Sequence, residues 1–151
     1  MSPAAECVLE LLEEVVRGMD LEAEVRVTED EGVITGELLG DDLGLAIGHH
    51  GQTIDAIQHL AYRIAYRRTE EPVRVVIDAA GYRERQALAL RATADQAAET
   101  AIHDRRPVSL EAMSALERRV VHEHLKDRHD VETYSEGEEP DRRLVVAPLV
   151  E

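Results

Sequence analysis

The chain has no Phe, no Trp, one Cys and only four Tyr among its 151 residues. Its interior must therefore be aliphatic, built from Leu, Ile, Val and Ala. So few rings disfavour any function that needs several stacked aromatic platforms. The single Cys7 excludes a disulfide framework and a cysteine-based zinc site, and it suits a reducing compartment. No apolar run approaches the ~18 residues that a membrane span requires, so no stable membrane insertion is expected. The opening segment from Met1 to Glu6 lacks the basic and apolar regions of a secretory signal. A cytoplasmic protein is expected.

Basic residues are also scarce. Lys and Arg total 17 against 32 Asp and Glu, a net charge of −15. That balance argues against a polyanionic partner at first sight. The excess is uneven, however: residues 1–40 hold 2 basic and 11 acidic residues. Sixteen of the 17 basic residues are Arg, the better fork for phosphate. With 44% hydrophobic and 32% charged residues, the chain is globular in composition. Its length suits one ordinary domain or two small ones.

Periodicity predicts a helix over residues 4–18, with Val8, Leu11, Leu12, Val15 and Val16 inward and Gly18 at its end. Residues 23–29 alternate as a half-buried strand, Asp30-Glu31-Gly32 is a turn, and Val33 to Leu39 is a second strand. Residues 40–51 hold Gly40, Gly44, Gly48 and Gly51, and an amphipathic helix follows from Gln52 to Arg68. Residues 73–78 read as a third strand and Tyr82 to His103 as an Ala-rich helix. Arg105 to Val108 break that helix, Ser109 is expected to cap a short new one, and a further helix runs to Lys126 with Met113, Leu116 and Val120 facing the core. Strands over residues 131–135 and 142–148 flank an acidic loop. The expected fold class is α+β, with units over residues 1–80 and 104–151 joined by a connecting helix over 81–103.

Ile47-Gly48-His49-His50-Gly51-Gln52 is the most informative stretch. Glycine lets a backbone approach a phosphate closely, and amides at a helix start attract anions. Such a loop also serves as a plain connection between helices. The order helix, strand, strand, glycine loop between helices, strand resembles a type II K-homology (KH) domain. Ile47-Gly48-x-x-Gly51-Gln52-Thr53-Ile54-Asp55-Ala56-Ile57-Gln58 is similar to the KH domain of the Jag (KhpB) family. The resemblance implies a clamp for single-stranded nucleic acid, RNA first and DNA second, at Ile47, Gly48, His49, His50, Gly51 and Gln52. Ile54 and Ile57 fit either its apolar groove or the core. The family usually carries basic residues where His49 and His50 stand. Since histidine as a residue type titrates near ~6.5, binding is expected to be weaker and to strengthen toward acid pH.

Farther on, Arg118, His122 and Lys126 stand four residues apart, on one drifting stripe of a helix. A stripe of donors without a carboxylate suits a phosphate chain, although spacing alone fits a solvated face as well. Glu117-Arg118-x-x-x-His122, followed by Ser135-Glu136-Gly137-Glu138-Glu139-Pro140-x-Arg142, resembles the R-3-H domain found at the C-terminus of Jag proteins. The resemblance makes Arg118 and His122 the signature pair, with Arg142 beside them, and implies a second single-strand site. It also implies a small KH-domain partner protein and a link to cell elongation and division. Many Jag proteins begin with a further small domain and a charged linker. This chain starts almost directly at the KH-like unit, so that domain's functions are not carried over.

An enzyme is disfavoured. His49-His50 and His122-x-His124 are only fragments of metal sites, no metalloprotease helix or phosphate-binding lysine loop is present, and no cofactor is implied. An RNA regulator or RNA chaperone is the expected function. The competing reading is a protein-interaction adaptor with weakened RNA binding, which the net charge of −15 favours.

Overall fold

The computed structural model describes residues 1–149. It divides into two compact units, Met1–Arg83 and a second that begins at Glu84.

In the first unit, α1 spans Pro3–Gly18. Ser2 caps it, accepting the Ala5 N–H at 3.1 Å, and Pro3 fits the first turn because its missing N–H is not needed there. Strands β1 (Glu24–Asp30) and β2 (Val33–Leu39) form an antiparallel hairpin. Its two loop residues, Glu31 and Gly32, both have positive φ (47° and 78°), the twist that suits a tight hairpin. A short helix α2 (Gly44–Ile47), a 3-10 turn (His49–Gly51) and the long α3 (Gln52–Thr69) precede β3 (Arg74–Ala79). The sheet order is β1-β2-β3, with β3 parallel to β2. The element order is the one the KH resemblance implies.

The core lies where α1 and α3 cover the sheet. Val8, Leu12, Ile34, Leu38, Ile54 and Ile77 are fully buried there, an aliphatic interior as the missing Phe and Trp require. Gly36 in β2 makes this packing possible. A Cβ there would lie 2.6 Å from Leu12 Cδ1 and 2.8 Å from Ile77 Cδ1. Gly36→Val should therefore cost the first unit about 3 kcal/mol by overpacking. A shift below about 0.5 kcal/mol in urea unfolding would mean that α1 yields freely.

The second unit contains α4 (Tyr82–Asp104) beyond its first two residues, β4 (Val108–Ser109), α5 (Ala115–Leu125), β5 (Val131–Glu136) and β6 (Arg143–Pro148). Its sheet runs β4-β6-β5, antiparallel throughout. The helix expected as a connector over residues 81–103 is not a spacer. Leu90, Ala94, Ala97 and Ala98 are core residues of the second unit, packed with Leu110, Val121, Leu125, Leu144 and Val146. Polar ties reinforce this packing: Gln86 donates to Glu117 at 2.7 Å, and Arg128 reaches Glu99 at 3.1 Å.

Two local expectations fail. Ser109 caps no helix; it lies in β4, opposite Val145. The cap is Ser114, whose hydroxyl accepts the Glu117 N–H at 3.2 Å while Glu117 Oε1 accepts the Ser114 N–H at 3.0 Å. This reciprocal box is legible as Ser-x-x-Glu in the sequence. Met113 consequently precedes the helix, and Leu116, expected in the core, is half exposed.

Candidate nucleic-acid interface

The glycine loop joins α2 to α3 through backbone that only glycine tolerates well. Gly48 has φ 75° and ψ −179°, a region closed to side chains. A Cβ on Gly48 would collide with the Thr53 hydroxyl and lie 2.9 Å from the Thr53 nitrogen. His50 (φ 53°) and Gly51 (φ 77°) are both left-handed. A Cβ on Gly51 would meet the Tyr82 ring at 2.8 Å. The loop is thus held from within by Thr53 and from outside by Tyr82.

Its amides are not arranged as the sequence suggests. The Gly48 N–H donates to the Gly44 carbonyl at 2.8 Å, and the Gly51 N–H donates to the Gly48 carbonyl at 3.2 Å. Both glycine amides are therefore spent inside the loop, which corrects the expectation that they grip a ligand. The His49 N–H has no acceptor among the described residues. No side chain caps α3, but the Gln52 N–H donates to the His49 carbonyl, so what that end offers an anion is the remaining partial charge of the helix start. Gln52 is exposed at that end, His49 is exposed, and Ile47 is partly buried against the core. The His49 and His50 rings meet edge to face, centroids 4.2 Å apart. Leu45, which the sequence reading overlooked, is 65% exposed on α2 at the approach to the loop. Ile54 and Ile57 belong to the core and not to a groove.

Asp55 and Gln58, which also went unassigned, are structural. Arg83 donates to Asp55 at 2.8 Å, to Gln58 at 3.0 Å and to the Ile77 carbonyl at 2.7 Å. Gln58 also accepts the Ile77 N–H at 2.9 Å, sealing the outer edge of β3.

In the second unit, the expected stripe breaks down. Arg118 is 8% exposed. Its guanidinium donates to the Met113 carbonyl at 2.6 Å, to the Arg142 carbonyl at 3.4 Å and to Glu139 at 2.5 Å. It is a strut between α5 and the acidic loop, not an exposed phosphate donor. Helical phase explains the error: at ~100° per residue, Leu125 falls only about 20° from Arg118, whereas Lys126 falls about 80° away on the other side. The stripe begins inside and ends outside. Lys126 pairs with Glu123 at 2.7 Å, a carboxylate the stripe was expected to lack. That bond raises the Lys126 ammonium and lowers the Glu123 carboxyl from their ordinary ranges. Arg142 donates to the Gly137 carbonyl at 2.7 Å and braces the acidic loop.

His122 fares better. It is exposed on α5, and its Nδ1 lies 2.6 Å from the Thr133 hydroxyl on β5. Both residues line a shallow depression of about 370 Å³ together with Arg118, Arg119, Tyr134 and Ser135. Arg119, one residue past the signature Arg, is exposed and without an ion pair among the described residues. Tyr134 is 44% exposed. An exposed guanidinium, an imidazole, a hydroxyl and one ring around a concave surface suit the phosphate and base of a single strand. Arg119 and Tyr134 were missed because their side-chain directions depend on the phase of α5 and the pleat of β5.

Two protein families match successive parts of the chain. Residues 5–77 match the KH domain of KhpA/KhpB. Residues 88–148 match the R-3-H domain. The chain belongs to the KH–R-3-H family that includes the KhpB proteins. Its relatives include the RNA-binding protein KhpB of Clostridium symbiosum, 36% identical over 141 residues, covering 92% of this chain and 64% of the relative. The RNA-binding protein KhpB of Lactiplantibacillus plantarum is 41% identical over 104 residues, covering 69% of this chain and 32% of the relative. That of Bacillus subtilis is 28% identical over 145 residues, covering 95% and 68%. The chain thus spans 32% to 68% of the length of these relatives. Among the described residues, no helix is long and apolar enough to cross a membrane.

Proposed function

We propose that this chain binds single-stranded RNA without catalysis, through two separate sites. One is the open end of α3 with the His49 amide. The other is the depression around Arg119, His122, Thr133 and Tyr134. The observation that carries the reading is the uncapped start of α3 behind a loop of left-handed backbone, the arrangement that leaves helix-end partial charge for a phosphate. Two modest sites on one chain raise the effective concentration of the second once the first is filled. The protein acts in the cytoplasm, in post-transcriptional control or RNA chaperoning tied to cell elongation and division.

Titrating a mixed-sequence 12-nucleotide RNA and the matching DNA at several salt concentrations tests this. Phosphate-driven binding weakens with salt, the logarithmic slope being about 0.7 per contacted phosphate. Arg119→Ala should lower that slope by about one phosphate's share. Tyr134→Ala should weaken binding by about 1–3 kcal/mol through lost stacking. Absence of RNA capture at low salt would reject the proposal.

A second reading, a protein-interaction adaptor, is favoured by the outer face of α3. Leu60 (47%) and Tyr66 (42%) are exposed there beside Arg63 and Arg67, and Tyr62 stacks on Tyr66 at 6.1 Å. A small KH-domain protein is the partner proposed for that face. The RNA titration separates an adaptor from a binder that also has a partner.

A further inference from the structure

Residues 78–87 lie outside both family matches. Yet the first residue of α4, Tyr82, is built against the glycine loop. We propose that Tyr82 is a positioning residue of the RNA clamp, its ring holding the left-handed backbone at His50 and Gly51. The inference rests on the RNA-binding reading above.

The argument begins with conformation. Two consecutive left-handed residues, one of them not glycine, are unfavourable unless neighbours enforce them. In this loop the enforcing group is visible. The Tyr82 ring fills the space beside Gly51, with Cε1 at 2.8 Å and the phenol oxygen at 2.9 Å from where a Cβ would sit. Relaxing the loop toward right-handed backbone would require that wall to move.

The wall is itself anchored. Ala80 (φ 50°) and Gly81 (φ 67°) make a sharp turn out of β3. The Asp78 carboxylate holds that turn, accepting the Ala79 N–H at 2.8 Å and the Arg83 N–H at 3.2 Å. Arg83 then pins the next residue along by its bonds to Asp55, Gln58 and Ile77. Tyr82 is half-buried against the first unit's core. A ring flanked on both sides by fixed backbone is a rigid stop. Without it, the loop would sample conformers in which the His49 amide and the start of α3 no longer converge. Apparent affinity falls by the fraction of time the competent conformer is lost.

The test uses the full chain with Tyr82→Leu and Tyr82→Phe. Hydrogen exchange of the amides of residues 49–52 is read in the free protein, with β2 amides as the internal control, and RNA affinity is read separately. Tyr82→Leu should speed loop exchange about tenfold, leave β2 protected and weaken 12-nucleotide RNA binding about tenfold. Tyr82→Phe, which keeps the ring, should stay within about twofold of the parent in both. Unchanged loop exchange in Tyr82→Leu would overturn the proposal, as would equal loss of β2 protection. Equal loss of affinity in Tyr82→Phe would overturn it too, since the hydroxyl and not the ring would then be the operative group. If the parent protein captures no RNA, the functional reading fails, while exchange in the free protein still decides the role of Tyr82.

Discussion

Arg118→Ala should destabilise the second unit rather than act only on RNA binding. Arg118 is 8% exposed and donates to two carbonyls and to Glu139. Removing it leaves the Met113 and Arg142 carbonyls without that partner and frees the acidic loop from α5. Hydrogen bonds from a buried charge contribute about 1.5–3 kcal/mol each. Glu139 is 58% exposed and readily re-solvated, so its share is small. A loss of roughly 2–4 kcal/mol is expected, a large fraction of a small unit's stability. Urea unfolding followed on second-unit amides should show it as a midpoint lowered by about 1 M or more. Arg118→Lys should not restore the midpoint, because an ammonium cannot span three acceptors set for a planar fork. A variant that unfolds within about 0.5 kcal/mol of the parent would return Arg118 to the list of direct RNA contacts.

Gly48→Ala should remove the glycine-loop clamp while the second unit stays folded. The backbone at Gly48 (φ 75°, ψ −179°) lies where side chains are essentially never found. The added methyl would also sit 2.9 Å from the Thr53 nitrogen, which no rotamer change relieves. Trimming Thr53 to Ala therefore does not rescue it. Strain of about 1–3 kcal/mol must be released by rebuilding the loop. The start of α3 then loses its approach, and RNA affinity should drop at least about tenfold. Binding at parental strength by Gly48→Ala would place the strand elsewhere on the first unit.

These two predictions differ in kind, and the difference follows from burial. Gly48 shapes an exposed loop, so its loss is read in binding. Arg118 sits at the heart of a small unit, so its loss is read in folding. The same contrast separates Arg119 from its neighbour: one residue along the helix turns the side chain from the interior to the solvent.

Most of the fold was legible in the chain itself. The turn at Glu31-Gly32 follows from its flexible residues between alternating strands, and the boundaries of α1, α3 and α4 follow from helical spacing and end residues. The capping box at Ser114 and Glu117 was also there to be read, and its neglect displaced the start of α5. Gly48, Gly51 and His122 stood out as candidates because a tight loop and a signature pair leave short-range marks. What no local pattern contained was which face of α5 turns inward. Val121 and Leu125 meet Leu144 and Val146 across the unit, and that contact buries Arg118.

By itself, the sequence determined an aliphatic α+β chain with two compact halves and a glycine loop before a helix, since periodicity and turn chemistry act over a few residues. Only the tertiary structure decided which amides are already spent, that α4 is core rather than connector, and that Tyr82 and Arg83 brace the loop. The last two of those outcomes depend on partners far along the chain, such as Gln58 with Ile77, 19 places apart, or Arg83 with Asp55, 28 apart. Hydrogen bonds and packing of that reach are set by how elements settle against each other, and nothing in a short stretch of residues encodes them.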